Sequence, residues 1–130
     1  LSKVDGWRMR MKALIVDDDP ILRDILRKMV VSEGIDDVSE ASSGGQGIDL
    51  WRSQSPNIIF LDVQLPDMSG LDILKKIREQ DQRVYIVVVT GHVSVNTVQE
   101  IVKFKADQYI VKPLDQGRIH QAIQSGKRRI

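Results

Sequence analysis

The sequence predicts an α/β protein, a five-stranded parallel sheet, doubly wound, with five helices. Three observations predict it. Short β-branched runs alternate with longer segments whose apolar residues recur at three and four, the order of stacked βαβ units. Two of those runs, 58–61 and 85–89, are nearly all apolar, as central strands of a parallel sheet covered by helices on both faces must be. The chain has 130 residues, 42% hydrophobic and 28% charged, which suits one globular domain.

Residues 1–11 (LSKVDGWRMRM) follow neither period and are set apart as an N-terminal extension, with Met9 and Met11 both candidate natural starts. The first strand is Ala13–Val16. A helix follows with Ile21, Leu22, Ile25, Leu26, Met29 and Val30 at its apolar positions, Asp19 as N-cap, Pro20 at the first helical position and Gly34 just past its end. The second strand is Val38–Ala41. The second helix, carried by Ile48, Leu50 and Trp51, has Gly44, Gly45 and Gly47 against it, each costing about 1 kcal/mol relative to alanine. The third strand, Ile58–Leu61, leads to a helix with Leu71, Leu74 and Ile77, and the fourth, Tyr85–Val89, to one with Val95, Val98, Ile101 and Val102. The fifth strand is Gln108–Val111, and Leu114, Ile119, Ala122 and Ile123 form the last helical pattern.

Composition removes several function classes. Without cysteine there are no disulfides and no thiolate metal sites, which fits a cytoplasmic protein. The longest apolar runs are strand-length, so no membrane span is expected, and the N-terminus carries no secretory pattern. The net charge of +1 is unevenly spread. Residues 1–12 and the last six, SGKRRI, each hold +3, which leaves residues 13–124 at −5. An acidic body argues against direct binding of nucleic acid. Residues 125–130 are expected to be a solvated basic tail or the start of a linker, after a domain over residues 12–124.

In an open α/β sheet, ligands bind beyond the carboxyl ends of the strands, where strand order reverses. The residues just after those ends are Asp17, Asp18 and Asp19, then Asp62, then Thr90, then Lys112 with Pro113. One sheet edge thus collects carboxylates, a hydroxyl and an ammonium. Crowded carboxylates call for a raised pKa or a bound cation, and Mg2+ suits an oxygen-only set. Lys112 and Thr90 add a positive charge and a hydroxyl donor for an oxyanion. Phosphoryl transfer needs positioning and charge neutralisation above all, and a carboxylate beside a metal can be its nucleophile. Each residue alone has a plainer reading: Asp17 to Asp19 as helix-capping acids, Asp62 as a turn aspartate, Thr90 as a strand end, Lys112 as a solvated lysine. Their conjunction at successive strand ends favours the site.

The stretches LIVDDDP (14–20), IIFLDVQLPDMSGLDIL (58–74), VVVTG (87–91) and DQYIVKP (107–113) resemble, in order and spacing, the receiver domains of bacterial two-component response regulators of the chemotaxis-regulator kind. The resemblance runs from about Lys12 to Gln124. It implies a flavodoxin-like strand order 2-1-3-4-5 and a phosphorylated aspartate. Asp62 is then the phosphoacceptor, Asp18 a direct Mg2+ ligand, Asp17 its neighbour acting through water, and Gln64 the donor of a backbone carbonyl to the metal. Thr90 is the switch hydroxyl, Lys112 the phosphate-pairing cation, and Tyr109 the aromatic that turns inward once Thr90 moves. The implied partners are a sensor histidine kinase or histidine phosphotransfer protein. An output domain or effector would meet the surface of the fourth helix, fifth strand and fifth helix, and a phosphorylation-dependent dimer belongs to the same picture. The domain itself catalyses the transfer and a slow autodephosphorylation, and acts primarily as a signalling switch.

Three positions depart from the family pattern. Lys105 stands where glycine is usual, so the turn into the fifth strand is expected to be differently shaped. Gln64 and His92 hold places where side chains govern the lifetime of the phosphoryl group; Gln64 is expected to speed hydrolysis by orienting water, and His92 to be a solvent-exposed loop residue. Three other functions compete. A non-phosphorylated interaction module would keep the fold without the switch. A flavin mononucleotide module would need a hydroxyl- and glycine-rich loop where this chain has Asp-Asp-Asp-Pro, and an aspartate-nucleophile hydrolase a second aspartate where this chain has Gln64.

Overall fold

Residues 10–129 are described by the computed structural model; the sequence reading of residues 1–9 lies outside them. The elements are β1 (Lys12–Val16), α1 (Pro20–Ser32), β2 (Asp37–Ala41), α2 (Gly44–Gln54), β3 (Ile58–Asp62), α3 (Gly70–Gln80), β4 (Tyr85–Thr90), α4 (Val95–Lys103), β5 (Gln108–Val111) and α5 (Gln116–Lys127). All strand pairs are parallel, in the order β2-β1-β3-β4-β5. The chain steps outward from β1 to β2 and then crosses back to β3, so the order reverses between β1 and β3. Their carboxyl ends therefore flank the crevice where a ligand is expected.

Strand alternation splits the core into two layers. Ile58 and Phe60 of β3 join Leu26 and Val30 of α1 and Ile119, Ala122 and Ile123 of α5 on one face. Ile59 and Leu61 join Ile48 and Trp51 of α2, Ile73, Leu74 and Ile77 of α3, and Ile101 of α4 on the other. Every residue of β3 and β4 is buried, as their unbroken apolar runs required. The first helix also keeps its punctuation. Asp19 accepts from the backbone N–H of Ile21 and Leu22, Pro20 opens the helix, and Gly34 lies beyond it at φ 96°.

Elsewhere packing overrides local pattern. The second helix runs through all three glycines, and at Gly44 and Gly47 the cost is offset by contacts that need them small. A Cβ on Gly47 would lie 3.0 Å from both methyls of Val16, and one on Gly44 would strike Met68. Ser43 caps this helix, and the Asp67 carboxylate from the β3–α3 loop accepts from Gly44 N at 2.8 Å and Gly45 N at 2.9 Å. Ile21, Ile25, Val95 and Val102 fit the helical period yet face outward. Leu114 packs on the core from ahead of α5, whose N-cap is Asp115. Met11, set apart with the extension, belongs to the core at 9% exposure.

The basic end is not simply solvated. The last helix continues to Lys127, Gly126 lies against Ile58 and Tyr85, and Arg129 pairs with Asp107 at 2.6 Å while lying over the Tyr85 ring. Lys105 adopts φ 65°, the left-handed region that suits glycine, so a lysine here occupies a glycine-type backbone. That conformation costs a non-glycine residue about 1 kcal/mol. Its carbonyl accepts from Arg78 Nε at 2.9 Å. The guanidinium of Arg78 is buried and also donates to Val84 O at 2.7 Å and to Asp107 at 2.8 Å. One cation thereby ties α3, the entry to β4 and the turn into β5 together.

Candidate functional site

The site begins one residue past β1. Asp17 N donates to Ala41 O, extending the pairing with β2 past Val16, and Asp17 Oδ1 accepts from Asp19 N at 2.8 Å, which turns the chain into α1. Arg23 from α1 donates to Asp17 O at 2.7 Å, fixing the backbone there. Asp17 is buried, whereas Asp18 faces out of the crevice mouth and is exposed. Direct pairing of β3 with β1 brings Asp62, the last residue of β3, to the same place. Asp62 is buried, and its Oδ1 accepts from Gln64 N at 3.2 Å. Carboxylate oxygens of Asp17, Asp18 and Asp62 all lie within 4.8 Å of one another.

Lys112 arrives from the far side. Its backbone N donates to Thr90 O at 2.8 Å, and its Nζ lies 3.0 Å from Asp62 Oδ2 and 3.2 Å from Asp17 Oδ2. A single ammonium thus bridges two carboxylates from different strands. Burial pushes the Asp62 carboxyl above its ordinary value, and the Asp17 charge adds to that, against the downward pull of Lys112 and the Gln64 N–H. Burial would lower the Lys112 ammonium, but the hydrogen bond and charge of Asp62, with Asp17, hold it above the usual lysine value. The two shifts differ in origin, burial for Asp62 and the neighbouring carboxylates for Lys112, while three carboxylates stand around one amine.

A divalent cation would answer that excess. Octahedral Mg2+ with bonds of 2.0–2.1 Å needs oxygens about 2.9 Å apart when adjacent and about 4.2 Å when opposite, a spacing the three carboxylates can meet. The donor set, all oxygen, suits a hard cation.

The remaining candidates stand nearby with different partners. Thr90 is buried, and its Oγ1 donates to His92 O at 2.9 Å while accepting from His92 N at 3.3 Å, so the hydroxyl is engaged by its own loop. His92 is exposed. Gln64 has an exposed side chain and bridges backbone to Ser69. Tyr109 is 41% exposed and therefore outside the core.

Sequence reasoning missed two residues that shape the crevice. Gly70 N donates to Val63 O at 2.7 Å, and a Cβ on Gly70 would fall 1.9 Å from Asp62 O, so α3 can begin against the end of β3 only with glycine there. Asp67 anchors the same loop to α2. Both lie in the stretch 58–74 that carries the resemblance, which gave neither a role.

A family model described as "Response regulator receiver domain" matches residues 13–124. The chain is 30% identical over 115 residues to chemotaxis protein CheY of Bacillus subtilis, covering 88% of this chain and 96% of that one. It is 30% identical over 115 residues to sporulation initiation phosphotransferase F of Bacillus subtilis, covering 88% of this chain and 92% of the other. Among solved structures, a CheY-like response regulator receiver domain protein of Methanospirillum hungatei superposes with a TM-score of 0.87 at 27% identity, covering 93% and 97%.

Proposed function

The chain belongs to the response regulator receiver domain family, and from that membership and the geometry of its acidic crevice we propose that it takes a phosphoryl group onto Asp62 from a phosphohistidine partner. The observation that carries this reading is the Lys112 ammonium held 3.0 Å from Asp62 and 3.2 Å from Asp17, with Asp18 at the mouth. A buried carboxylate so placed is exposed to an incoming phosphorus from the crevice side, and a lysine waits to neutralise the charge that arrives.

In the transfer, an Asp62 oxygen forms a bond to phosphorus as the phosphorus–nitrogen bond of the donor imidazole breaks, and the imidazole departs with the bonding pair. Asp18 and Asp62 would hold Mg2+ through their carboxylates, Gln64 through its backbone carbonyl and Asp17 through water; the ion supplies charge neutralisation on the phosphoryl oxygens. Lys112 exchanges a carboxylate partner for a phosphoryl oxygen. Thr90 gives up its bond to His92 O and donates to the phosphoryl group instead, a stronger charge-assisted bond replacing a neutral one. The loop carrying His92 then loses a tether, which leaves room for Tyr109 to turn inward and alters the α4–β5–α5 face offered to an effector, an output domain or a second copy. Slow hydrolysis, with Gln64 orienting water, resets the switch. We place this activity in residues 12–124, in the cytoplasm, with a sensor kinase or phosphotransfer protein as donor. Among the described residues no helix is long and apolar enough to cross a membrane.

Incubation with acetyl phosphate and Mg2+, read by intact-protein mass spectrometry, tests this. Wild type is expected to gain one phosphoryl mass, Asp62→Asn none, and Asp18→Asn to label poorly at equal Mg2+. Equal labelling of wild type and Asp62→Asn would reject Asp62 as acceptor.

A further inference from the structure

On the opposite edge of the molecule, the C-terminal ends of α3 and α4 border a groove of about 270 Å³ that the phosphorylation chemistry does not use. Phe104, half-buried, forms its wall, and Lys75, Lys103, Lys105, Glu79 and Gln82 stand around it. The ammonium groups of Lys75 and Lys103 lie 5.8 Å and 5.7 Å from the Phe104 ring centroid, one from each helix. Lys75, Lys103 and Lys105 are exposed, and none pairs with a carboxylate among the described residues. This is a local positive cluster on a body that carries −5 over residues 13–124.

Lysines near helix C-termini complement the helix dipole, and that suffices for Lys103. It does not account for Lys105. That residue holds φ 65°, a conformation that disfavours any side chain, at a turn whose carbonyl is pinned by buried Arg78. Glycine would serve the turn better, and the fold draws nothing visible from the lysine side chain. Retained strain of this kind points to use of the side chain.

We propose that this groove docks an acidic peptide segment of a partner protein, a hydrophobic side chain resting on Phe104 and flanking carboxylates pairing with Lys75, Lys103 and Lys105. Charge complementarity selects the class of partner. A nucleic acid would have to extend its phosphates beyond three lysines over a body that carries −5 across residues 13–124, and Glu79 stands in the groove lining itself. A short peptide meets only the lysines, and its apolar side chain uses the aromatic wall that a phosphate chain would leave empty. The site lies at the amino-end side of β5, remote from Asp62, so the unphosphorylated chain already presents it.

The probe is a fluorescein-labelled peptide, Gly-Glu-Glu-Leu-Glu-Glu-Gly, followed by fluorescence anisotropy with the full chain, with thermal melts of each variant alongside. Saturable binding is expected to weaken with salt. It should drop about threefold in Lys105→Gly and about tenfold in Lys103→Gln/Lys105→Gly, as the loss of one and two exposed ion pairs implies. Lys105→Gly is expected to melt no lower than wild type, so weaker binding cannot be ascribed to unfolding. Asp62→Asn should bind the peptide as wild type does. The proposal is overturned if the glutamine version of the peptide binds equally well, or if the double variant binds unchanged. It is equally overturned if oligothymidylate of matching length, or vesicles of phosphatidylserine and phosphatidylcholine, engage these lysines more tightly than the peptide.

Discussion

Replacing Gly70 with alanine puts the junction of scaffold and site under direct test. The added Cβ would lie 1.9 Å from Asp62 O, 2.8 Å from Asp62 C and 2.9 Å from Val63 Cα. Ordinary contact begins near 3.4 Å, so α3 and the end of β3 must separate by more than an ångström. The obstructing atoms are backbone, and no change of rotamer relieves them. Overpacking costs about 1–3 kcal/mol where side chains can yield, so about 3 kcal/mol or more is expected here. Gly45→Ala is the control, because its Cβ would sit 3.5 Å from Asp67 Oδ2, an ordinary contact, within the first turn of α2. That change should stabilise by about 0.5 kcal/mol through helix propensity alone. Urea denaturation followed by far-ultraviolet circular dichroism measures both, with the slope checked for constancy. Any folded Gly70→Ala should also label slowly with acetyl phosphate, since relief of the clash moves Asp62. If Gly70→Ala stays within about 1 kcal/mol of wild type, or both substitutions destabilise alike, the close approach of α3 to the end of β3 has been misjudged.

Two further outcomes follow from groups outside the crevice. Arg78→Leu leaves Asp107 its pairing with Arg129 but takes the donor from the carbonyls of Lys105 and Val84, and two acceptors left unsatisfied at about 1–3 kcal/mol each should lower the unfolding free energy by about 3 kcal/mol; a loss under about 1 kcal/mol would show that the guanidinium is readily replaced by water. Asp67 has its pKa lowered by the hydrogen bonds from Gly44 N and Gly45 N. A depressed folded value means that its contribution is present above the ordinary aspartate range and fades as pH falls through the folded pKa. The melting temperature of Asp67→Ala should therefore lie below wild type at pH 7, and the two should converge below about pH 4; a gap that persists at acid pH would remove the charge from the explanation.

What could be read in the chain and what could not divides by the range of the interaction. Asp17, Asp18, Asp62, Thr90 and Lys112 were legible because a parallel sheet brings all its carboxyl ends to one edge, so each strand end announces a site position without knowledge of side-chain packing. The structure joins Asp17, Asp18, Asp62 and Lys112 in one cluster, while the Thr90 hydroxyl is held instead by the backbone of His92. The devices that stayed hidden act between a side chain and a distant backbone. Asp67 caps glycines 22 and 23 residues earlier, and Arg78 holds Lys105 from 27 residues away. No hydrophobic period records such a bond, since its acceptor or donor belongs to the main chain of any residue type. For the same reason the glycines of α2 counted against a helix when read locally. For Gly44 and Gly47 the meaning lay in Met68 and Val16, which lie against them only once the sheet has formed. Lys105 is the converse case, a local anomaly visible in the sequence whose backbone obeys the glycine rule even though its side chain does not. A residue that keeps the conformation and forgoes the preferred amino acid shows the turn to be fixed by its surroundings, by Arg78 on its carbonyl above all. The side chain at position 105 is thereby left free to answer to something other than the fold.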